Sequence, residues 1–324
     1  MQYLNATFFS GRSIKDSSLK KDVATPSLTQ LQNGDWFFKK QSSDGQKTVY
    51  FITQEGHQHF MTQASREGRQ FDEYYFEVSK DGNIVPVEAH DYNRIYEGNG
   101  WKYKFILECL DYRTPSVTAN AFLNLLKSKK IDSSNLRLLD LAAGSGLGYE
   151  QLVNKGYRGK ALGQDVVPNA KQAAQIGLKK PYDEYVVAPL AEAGKPVLNV
   201  IKHFKPNALY VSSGIEVTEH IGPKDIAIAI NQLDFDGKDE LPAVFSMHPR
   251  ISSDEAHPTM VFLDLLKKLG VIDFVDEKEY KHRSTINGES INYHLVTAVL
   301  KKGLPEEILN QVDRLQKDYQ EYQL

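Results

Sequence analysis

The chain has 324 residues, of which 41% are hydrophobic and 25% charged, with a formal net charge of −3. These are proportions of a soluble globular protein of one large or two ordinary domains, and the charge excludes the basic excess of a protein built on phosphate-backbone contacts. Cys109 is the only cysteine, so an intrachain disulfide is excluded and a reducing compartment is expected. The N-terminus, "MQYLNATFFSGRSIKDSS", has no signal-peptide pattern, and no apolar run approaches the roughly 18 residues of a spanning helix. The expectation is a soluble, cytoplasmic protein without membrane contact.

Residues 1–90 read as strand-rich. "DWFFKK", "KTVYFITQ" and "FDEYYFEVS" are short aromatic and β-branched runs, separated by "QNG", "SSDGQ" and "KDGN", which are turn signals. A β-rich domain or extension is expected there. His57 and His59 in "GHQHF" share one strand face, but two imidazoles do not make a metal site, and none is expected. Tyr92, Tyr96 and Trp101 in "HDYNRIYEGNGWKYKF" form either a lid over a site or aromatic packing between two regions. "KYKFILECL" and "SVTANAFLNLLKSKK" have helical spacing, with Pro115 and Ser116 at a helix start. Cys109 falls on the apolar positions of that pattern and reads as core.

From Arg137 the pattern alternates. Strands are predicted at 138–141, 159–165, 184–190, 207–214 and 242–249. Helices are predicted from Tyr149, over 168–177, 193–204, 223–233 and 257–270, with Pro168 and Pro223 in first turns and Gly177 after an end. Two last strands come near 271–285 and at 292–302. This alternation calls for βαβ units: a Rossmann-like, doubly wound, mostly parallel sheet with helices on both faces. The expected organisation is therefore a β-rich part at 1–90, an α/β domain at 91–303 and an amphipathic helix at 304–324. That last helix packs on the body or on a second copy of the chain.

The informative stretch is "LLDLAAGSGLGYEQL", residues 138–152. A strand runs through small residues, Ala142 to Gly146, into a helix. Such a turn lets a ligand approach backbone N–H groups at a helix N-terminus; the two glycines alone also suit a plain tight turn. Asp140 ends the first strand. Asp165 ends the next, about 20 residues beyond the glycines, where an acid takes two ribose hydroxyls or caps the helix at Pro168. Nicotinamide-dinucleotide turns share the second acid, but an acid at the end of the first strand would face a diphosphate. The spacing G-S-G-L-G also differs from G-x-G-x-x-G. Asp140 suits a cationic ligand end.

On these residues the chain resembles the class I S-adenosylmethionine-dependent methyltransferases of small-molecule type. "LLDLAAGSG" looks like their motif I. "GYRGKALGQDVVPNAKQAAQIGLKKPYDEYVVAPL", "NALYVSSGIEVTEHIG" and "NYHLVTAVLKKG" are similar to their second and third strands, their fourth strand with its loop, and their antiparallel last strand. The resemblance covers most of residues 137–302. It implies a seven-stranded sheet with S-adenosylmethionine as cofactor and S-adenosylhomocysteine as product. It further implies that Asp140, Ala142, Gly144, Ser145 and Gly146 line the methionine end, that Asp165 holds the ribose and that Val166 lies beside the adenine. Ala188 and Leu190 flank the position after strand three, where many relatives have an acid and this chain has Pro189. Ala142 likewise stands where the first motif glycine often is. Ser213 and Gly214 border cofactor and acceptor.

Methyl transfer from a sulfonium is an in-line displacement, so alignment carries most of the protein's share. A base is needed only if the nucleophile must lose a proton. Glu216, Glu219 and His220 in "GIEVTEHIG", and His248 and Arg250 in "FSMHPR", stand at the carboxyl edge of the sheet. Of these, Glu216, His220 and His248 are the catalytic candidates. The expected activity is methylation of an O, N or C atom of a small metabolite, without nucleic acid. Three alternatives stay open: a protein or peptide acceptor, a non-catalytic S-adenosylmethionine-binding module, and a nicotinamide-dependent oxidoreductase on the same topology.

Overall fold

The computed structural model describes residues 29–30, 36–41, 47–52, 74–78 and 84–88, and residues 91–312 apart from 98–99, 101–102, 105–106, 108–110, 216–220, 255–256, 285–289 and 306. The chain divides into two compact units. One comprises Met1–Ile95, Trp101–Tyr112 and Ser284–Glu289; the other comprises Tyr96–Gly100, Arg113–Arg283 and Ser290–Leu324.

In the first unit the aromatic runs become an antiparallel sheet, ordered as in the chain: β1 (Thr29–Gln30), β2 (Trp36–Gln41), β3 (Lys47–Ile52), β4 (Tyr74–Val78) and β5 (Ile84–Glu88). The run "SSDGQ" joins β2 to β3, whose register sets Trp36 opposite Ile52 and Gln41 opposite Lys47. Pro86 lies in β5, an edge strand, where a missing N–H is tolerated. The predicted helix around Cys109, together with Trp101, His57 and His59, lies outside the described residues.

The second unit carries a seven-stranded sheet in the order β11-β12-β10-β9-β6-β7-β8. Its strands are β6 (Arg137–Leu141), β7 (Lys160–Asp165), β8 (Glu184–Val187), β9 (Ala208–Ile215), β10 (Leu241–Met247), β11 (Ile272–Ser284) and β12 (Ser290–Leu300). β6 pairs in parallel with β7 and β9, and β10 in parallel with β9. β12 runs antiparallel to β10, with Leu241 opposite Leu300. This is the doubly wound sheet with the antiparallel last strand that the sequence predicts. The chain winds β6, β7, β8 to one side and then returns to place β9 and β10 on the other. The switch point therefore lies between β6 and β9, where open α/β sheets bind ligands.

The helices are α1 (Thr114–Ser128), α2 (Leu147–Asn154), α3 (Pro168–Gly177), α4 (Lys195–Phe204), α5 (Pro223–Asn231) and α6 (Pro258–Lys268). Each but α2 has proline in its first turn, where the absent N–H costs no bond. β6 shows how the sheet is covered. Leu139 and Leu141 join a buried cluster with Ile201 of α4, Ile226 and Ile230 of α5, and Phe262 and Leu266 of α6. The other face of the sheet receives α1 and α2: Phe122 meets Tyr210 edge-on at 5.8 Å, and Gly148 leaves room for Tyr210 and Ser212. Burial on both faces is the expected state of parallel strands.

Three boundaries differ from the sequence reading. β8 stops at Val187, because Pro189 has no N–H for the ladder, and Leu190–Glu192 form a 3₁₀ turn instead. β10 stops at Met247, and Pro249–Ser253 form a short helix. The C-terminal helix is present at 307–312, and its predicted continuation lies outside the described residues.

At the switch point two backbones come unusually close. Ala142 adopts φ 49 and Ser213 φ 69, both in the left-handed region that disfavours a Cβ. A Cβ on Gly214 would stand 2.8 Å from that of Ala142. The alanine in the first motif position thus fills space that Gly214 vacates. Gly214→Ala is expected to lower stability by about 1–3 kcal/mol through overpacking. Ala142→Gly, which removes both the strain and the methyl, is expected to rescue it. Denaturant titration of the four-member cycle should give a coupling of about 1 kcal/mol or more; additive effects would show that the two positions do not compete.

Candidate functional site

The turn after β6 is held by its neighbours on β7 and β8. The Gly144 N–H donates to Asp165 Oδ2 and the Val167 N–H to Asp165 Oδ1, both at 2.8 Å. The buried carboxylate therefore links the turn to the start of α3. Gln164 adds a second link: its Nε2 donates to the Ala188 carbonyl at 2.6 Å and its Oε1 accepts from the Ala142 N–H at 3.4 Å. The Tyr185 hydroxyl donates to the Gly144 carbonyl at 2.8 Å. Gly146, at φ 84, precedes α2.

The turn is also covered. A Cβ on Gly144 would lie 2.6 Å from the Tyr96 hydroxyl, and one on Gly100 would lie 2.9 Å from Ala173 Cβ and 3.2 Å from Ser145 Cβ. Tyr96 and Gly100 thus pack onto the glycine turn. Tyr92 meets Tyr103 edge-on within the first unit. Val166, next to the buried Asp165, is 44% exposed. Ala188 is partly buried, its N–H on the Asp165 carbonyl. The Leu190 side chain is turned into the core.

Among the described residues the Asp140 carboxyl has one hydrogen-bond partner, the Tyr182 hydroxyl, which donates to Oδ2 at 2.6 Å. Tyr182 is stacked on Tyr149 at 4.5 Å and meets Tyr185 edge-on at 5.5 Å. No cation among the described residues pairs with Asp140. Burial pushes its carboxyl up to about 7, with the nearby Asp165 adding in the same direction and the Tyr182 bond opposing. Burial likewise raises Tyr182 and Tyr185 well above the ordinary tyrosine range.

A second group of polar side chains lies across the switch point. Thr118 Oγ1 of α1 donates to the Thr114 carbonyl at 2.7 Å and lies 2.6 Å from the Tyr210 hydroxyl and 3.0 Å from Ser212 Oγ. Thr114 Oγ1 is 2.7 Å from His282 Nδ1 and 2.8 Å from the Tyr280 hydroxyl, which is 2.6 Å from Ser246 Oγ. His282 stacks on Tyr293 at 3.6 Å, and His248 meets the same ring edge-on at 5.3 Å. Burial holds the His282 imidazole well below its ordinary pKa, helped by Arg283 and His248. Of the sequence-predicted catalytic candidates, His248 stands here, its N–H on the Ile215 carbonyl at the end of β9. Glu216, Glu219 and His220 lie outside the described residues, as does the Arg250 side chain.

The structure brings together Asp140, Ala142, Gly144, Ser145, Gly146, Asp165, Val166 and Ala188 around the ends of β6, β7 and β8, with Ser213 at the end of β9. Sequence reading missed Gln164, Tyr182, Tyr185, Tyr280, His282 and Tyr293. "KKPYDEY" gave a partial signal in its paired tyrosines; the others have none in local pattern. The donor set suits a ribose and a cationic chain: a buried acid on the glycine turn, a second acid without a cation, and Ser145 Oγ, a buried hydroxyl with no partner among the described residues. Among the described residues no three histidine, cysteine or acidic side chains cluster. Likewise, among the described residues, no helix is long and apolar enough to cross a membrane.

No family model and no curated protein matches the chain. Solved structures do. A magnesium protoporphyrin IX methyltransferase from Synechocystis PCC 6803 with bound S-adenosylmethionine is 12% identical, with 66% of this chain and 97% of that one covered and a TM-score of 0.40. A SAM-dependent methyltransferase from Anabaena variabilis is 13% identical, with 58% and 85% covered and a TM-score of 0.39. A fibrillarin pre-rRNA processing protein from Methanococcus jannaschii is 11% identical, with 88% and 100% covered and a TM-score of 0.39.

The raised Asp140 carboxyl has a consequence for stability. Unfolded, the group titrates near 3.8; folded, near 7. Between those values the folded chain holds a proton that the unfolded chain has released, so stability falls as pH rises from about 4 to 7 and stays reduced above. His282 acts in the opposite sense, because its folded imidazole resists a proton that the unfolded one accepts below about 6.5. The difference between wild type and Asp140→Asn isolates the first effect. The variant is expected to gain relative stability across pH 4–7, by an amount on the order of 3–4 kcal/mol. Denaturant midpoints at pH 4.5, 6 and 8 measure it, and parallel curves would contradict it.

Proposed function

We propose that the chain is an S-adenosylmethionine-dependent methyltransferase acting on a small-molecule acceptor. The observation that carries the reading is the pair of buried acids, Asp140 and Asp165, ending adjacent parallel strands on either side of a glycine turn at the switch point. One acid bonded to the turn and the other without a cation match a ligand with a ribose in the middle and positive charge at one end. Asp165 and Val166 would hold the nucleoside. Asp140, Ser145 and the turn amides would hold the amino-acid end. When bound, the cofactor supplies a sulfonium methyl group.

The chain's own residues then have three tasks. Tyr96 and Gly100 cover the turn and exclude water, which strengthens the electrostatics beneath them. The neutral hydroxyl network of Thr118, Tyr210, Ser212, Ser246 and Tyr280, in which Thr118, Tyr210 and Ser246 are fully buried, would back the acceptor side without a charge to compete for the sulfonium. His248 Nδ1 or Nε2 receives the acceptor's proton where the nucleophile must lose one. A small acceptor is favoured over nucleic acid by the net charge of −3 and the sequence pI of about 6.3.

Calorimetric titration with S-adenosylmethionine tests the reading. Wild type is expected to bind in the micromolar range. Asp165→Ala should lose about 1–3 kcal/mol, as for deletion of a partner of buried polar groups, and Asp165→Asn, which keeps one acceptor oxygen, should lose less. Absence of binding by heat and by a second method overturns the proposal.

A further inference from the structure

Resting on that reading, we infer that binding of an ammonium-bearing nucleoside expels a proton from the Asp140–Tyr182 pair, which makes Tyr182 a determinant of specificity for ligands that carry an amino-acid chain. Asp140 is 2% exposed, and its one donor among the described residues is Tyr182. The ionisable groups that face it are Tyr182 from the segment before β8, Tyr185 of β8, Tyr149 of α2, Tyr210 of β9 and Asp165 at the end of β7. Every one is neutral or negative at pH 7. Lys180 does not pair with Asp140: its Nζ donates to the Gly159 carbonyl and stands over the Tyr149 ring, 5.9 Å from its centre.

A buried carboxylate in such surroundings has neither water nor a cation to stabilise it, and keeps its proton. The folded value near 7 agrees with this geometry. Tyr182 donates to Oδ2, so the acid proton sits on Oδ1. An incoming ammonium supplies the missing counter-charge. The Oδ1–H bond then breaks, the electron pair stays on the carboxylate, and the proton leaves to solvent. Tyr182 keeps its own proton and holds Oδ2 in place.

Tyr182 also touches the turn. Its ring would lie 3.1 Å from a Cβ on Gly146, so the hydroxyl is fixed relative to the glycine backbone by packing as well as by its bond. Removing only the hydroxyl should leave the ring in place and strip the carboxylate of its donor. The ionised form then becomes harder to reach, and a ligand that depends on it binds less well near neutral pH.

The experiment is calorimetry on the full chain in buffers of differing ionisation enthalpy, with two probes. S-adenosylhomocysteine carries the ammonium without the sulfonium; 5′-methylthioadenosine carries neither. For S-adenosylhomocysteine, about 0.9 proton should be released per ligand at pH 6.0 and about a quarter at pH 7.5, with affinity rising roughly eightfold between them. Methylthioadenosine should release none, and its affinity should not change. Asp140→Asn should abolish the release. Tyr182→Phe should keep it but move the midpoint of the affinity profile to higher pH, a shift that a merely structural tyrosine would not cause. Binding of S-adenosylhomocysteine with no proton exchange at pH 6.0, or an undiminished count in Asp140→Asn, overturns the inference while leaving the cofactor assignment standing. No binding of either probe or of S-adenosylmethionine at any pH overturns both.

Discussion

The hydrogen bond from the Gly144 amide to Asp165 is the contact on which the site depends. It joins the turn after one parallel strand to the last residue of the next, and it is charge-assisted, which places it among the stronger protein hydrogen bonds. The turn must bend back toward β7 to make it, so Ala142 is driven to a left-handed φ. The Gly144 carbonyl faces the opposite way and meets the Tyr185 hydroxyl. Gln164, one residue before the acid, reaches the Ala142 amide with one end of its amide group and the Ala188 carbonyl with the other. The chain passes three strand ends through a few ångströms of backbone, and small residues at 142, 144, 146 and 214 make that passage sterically feasible.

The two sides of the switch point differ in chemistry. On the side of β6 to β8 two carboxyl groups are buried near each other among tyrosines, an arrangement unfavourable unless something positive arrives. On the side of β9 to β12 the polar groups are almost all hydroxyls, linked from Ser212 through Thr118 and from Ser246 through Tyr280 and Thr114 to His282. A hydroxyl can both donate and accept, so such a network pairs its members without charge. His248 stands at its rim, against Tyr293. The switch point thus sets a neutral, hydroxyl-rich group of side chains beside a pair of buried acids.

Much of this was legible in the sequence. The α/β winding is visible in apolar runs at βα spacing and in prolines such as Pro168 and Pro223, which mark helix starts by a purely local rule. Asp140, Gly144, Gly146 and Asp165 stand out by their spacing about a strand–turn–helix. The features that were not legible come from contacts between distant segments. Tyr182, in the segment before β8, reaches Asp140 across 42 positions, and the ring it stacks on, Tyr149, belongs to α2. His282 meets Thr114 across 168 positions because α1 packs over β9, β10 and β12 and β11 pairs with β12 at the sheet edge, which no local period announces. The exchange of bulk between Ala142 and Gly214 is similar: the alanine looks like a departure from the motif until the opposing glycine is seen. Leu190, read as flanking the ligand, turns inward because Pro189 ends the strand and a 3₁₀ turn replaces the pleat at residues 190–192.

If the glycine turn between Asp140 and Asp165 receives the nucleoside and amino-acid parts of one ligand, a crystal structure of the full chain grown with S-adenosylhomocysteine will show it most directly. The expected density places the ribose hydroxyls within hydrogen-bond distance of Asp165, the base beside Val166, and the ammonium on the Asp140 side of the turn, with Tyr96 closed over Gly144. Ligand density elsewhere on the chain, or a turn that stays packed by Tyr96 at saturating ligand with no density beside Asp165, would contradict it.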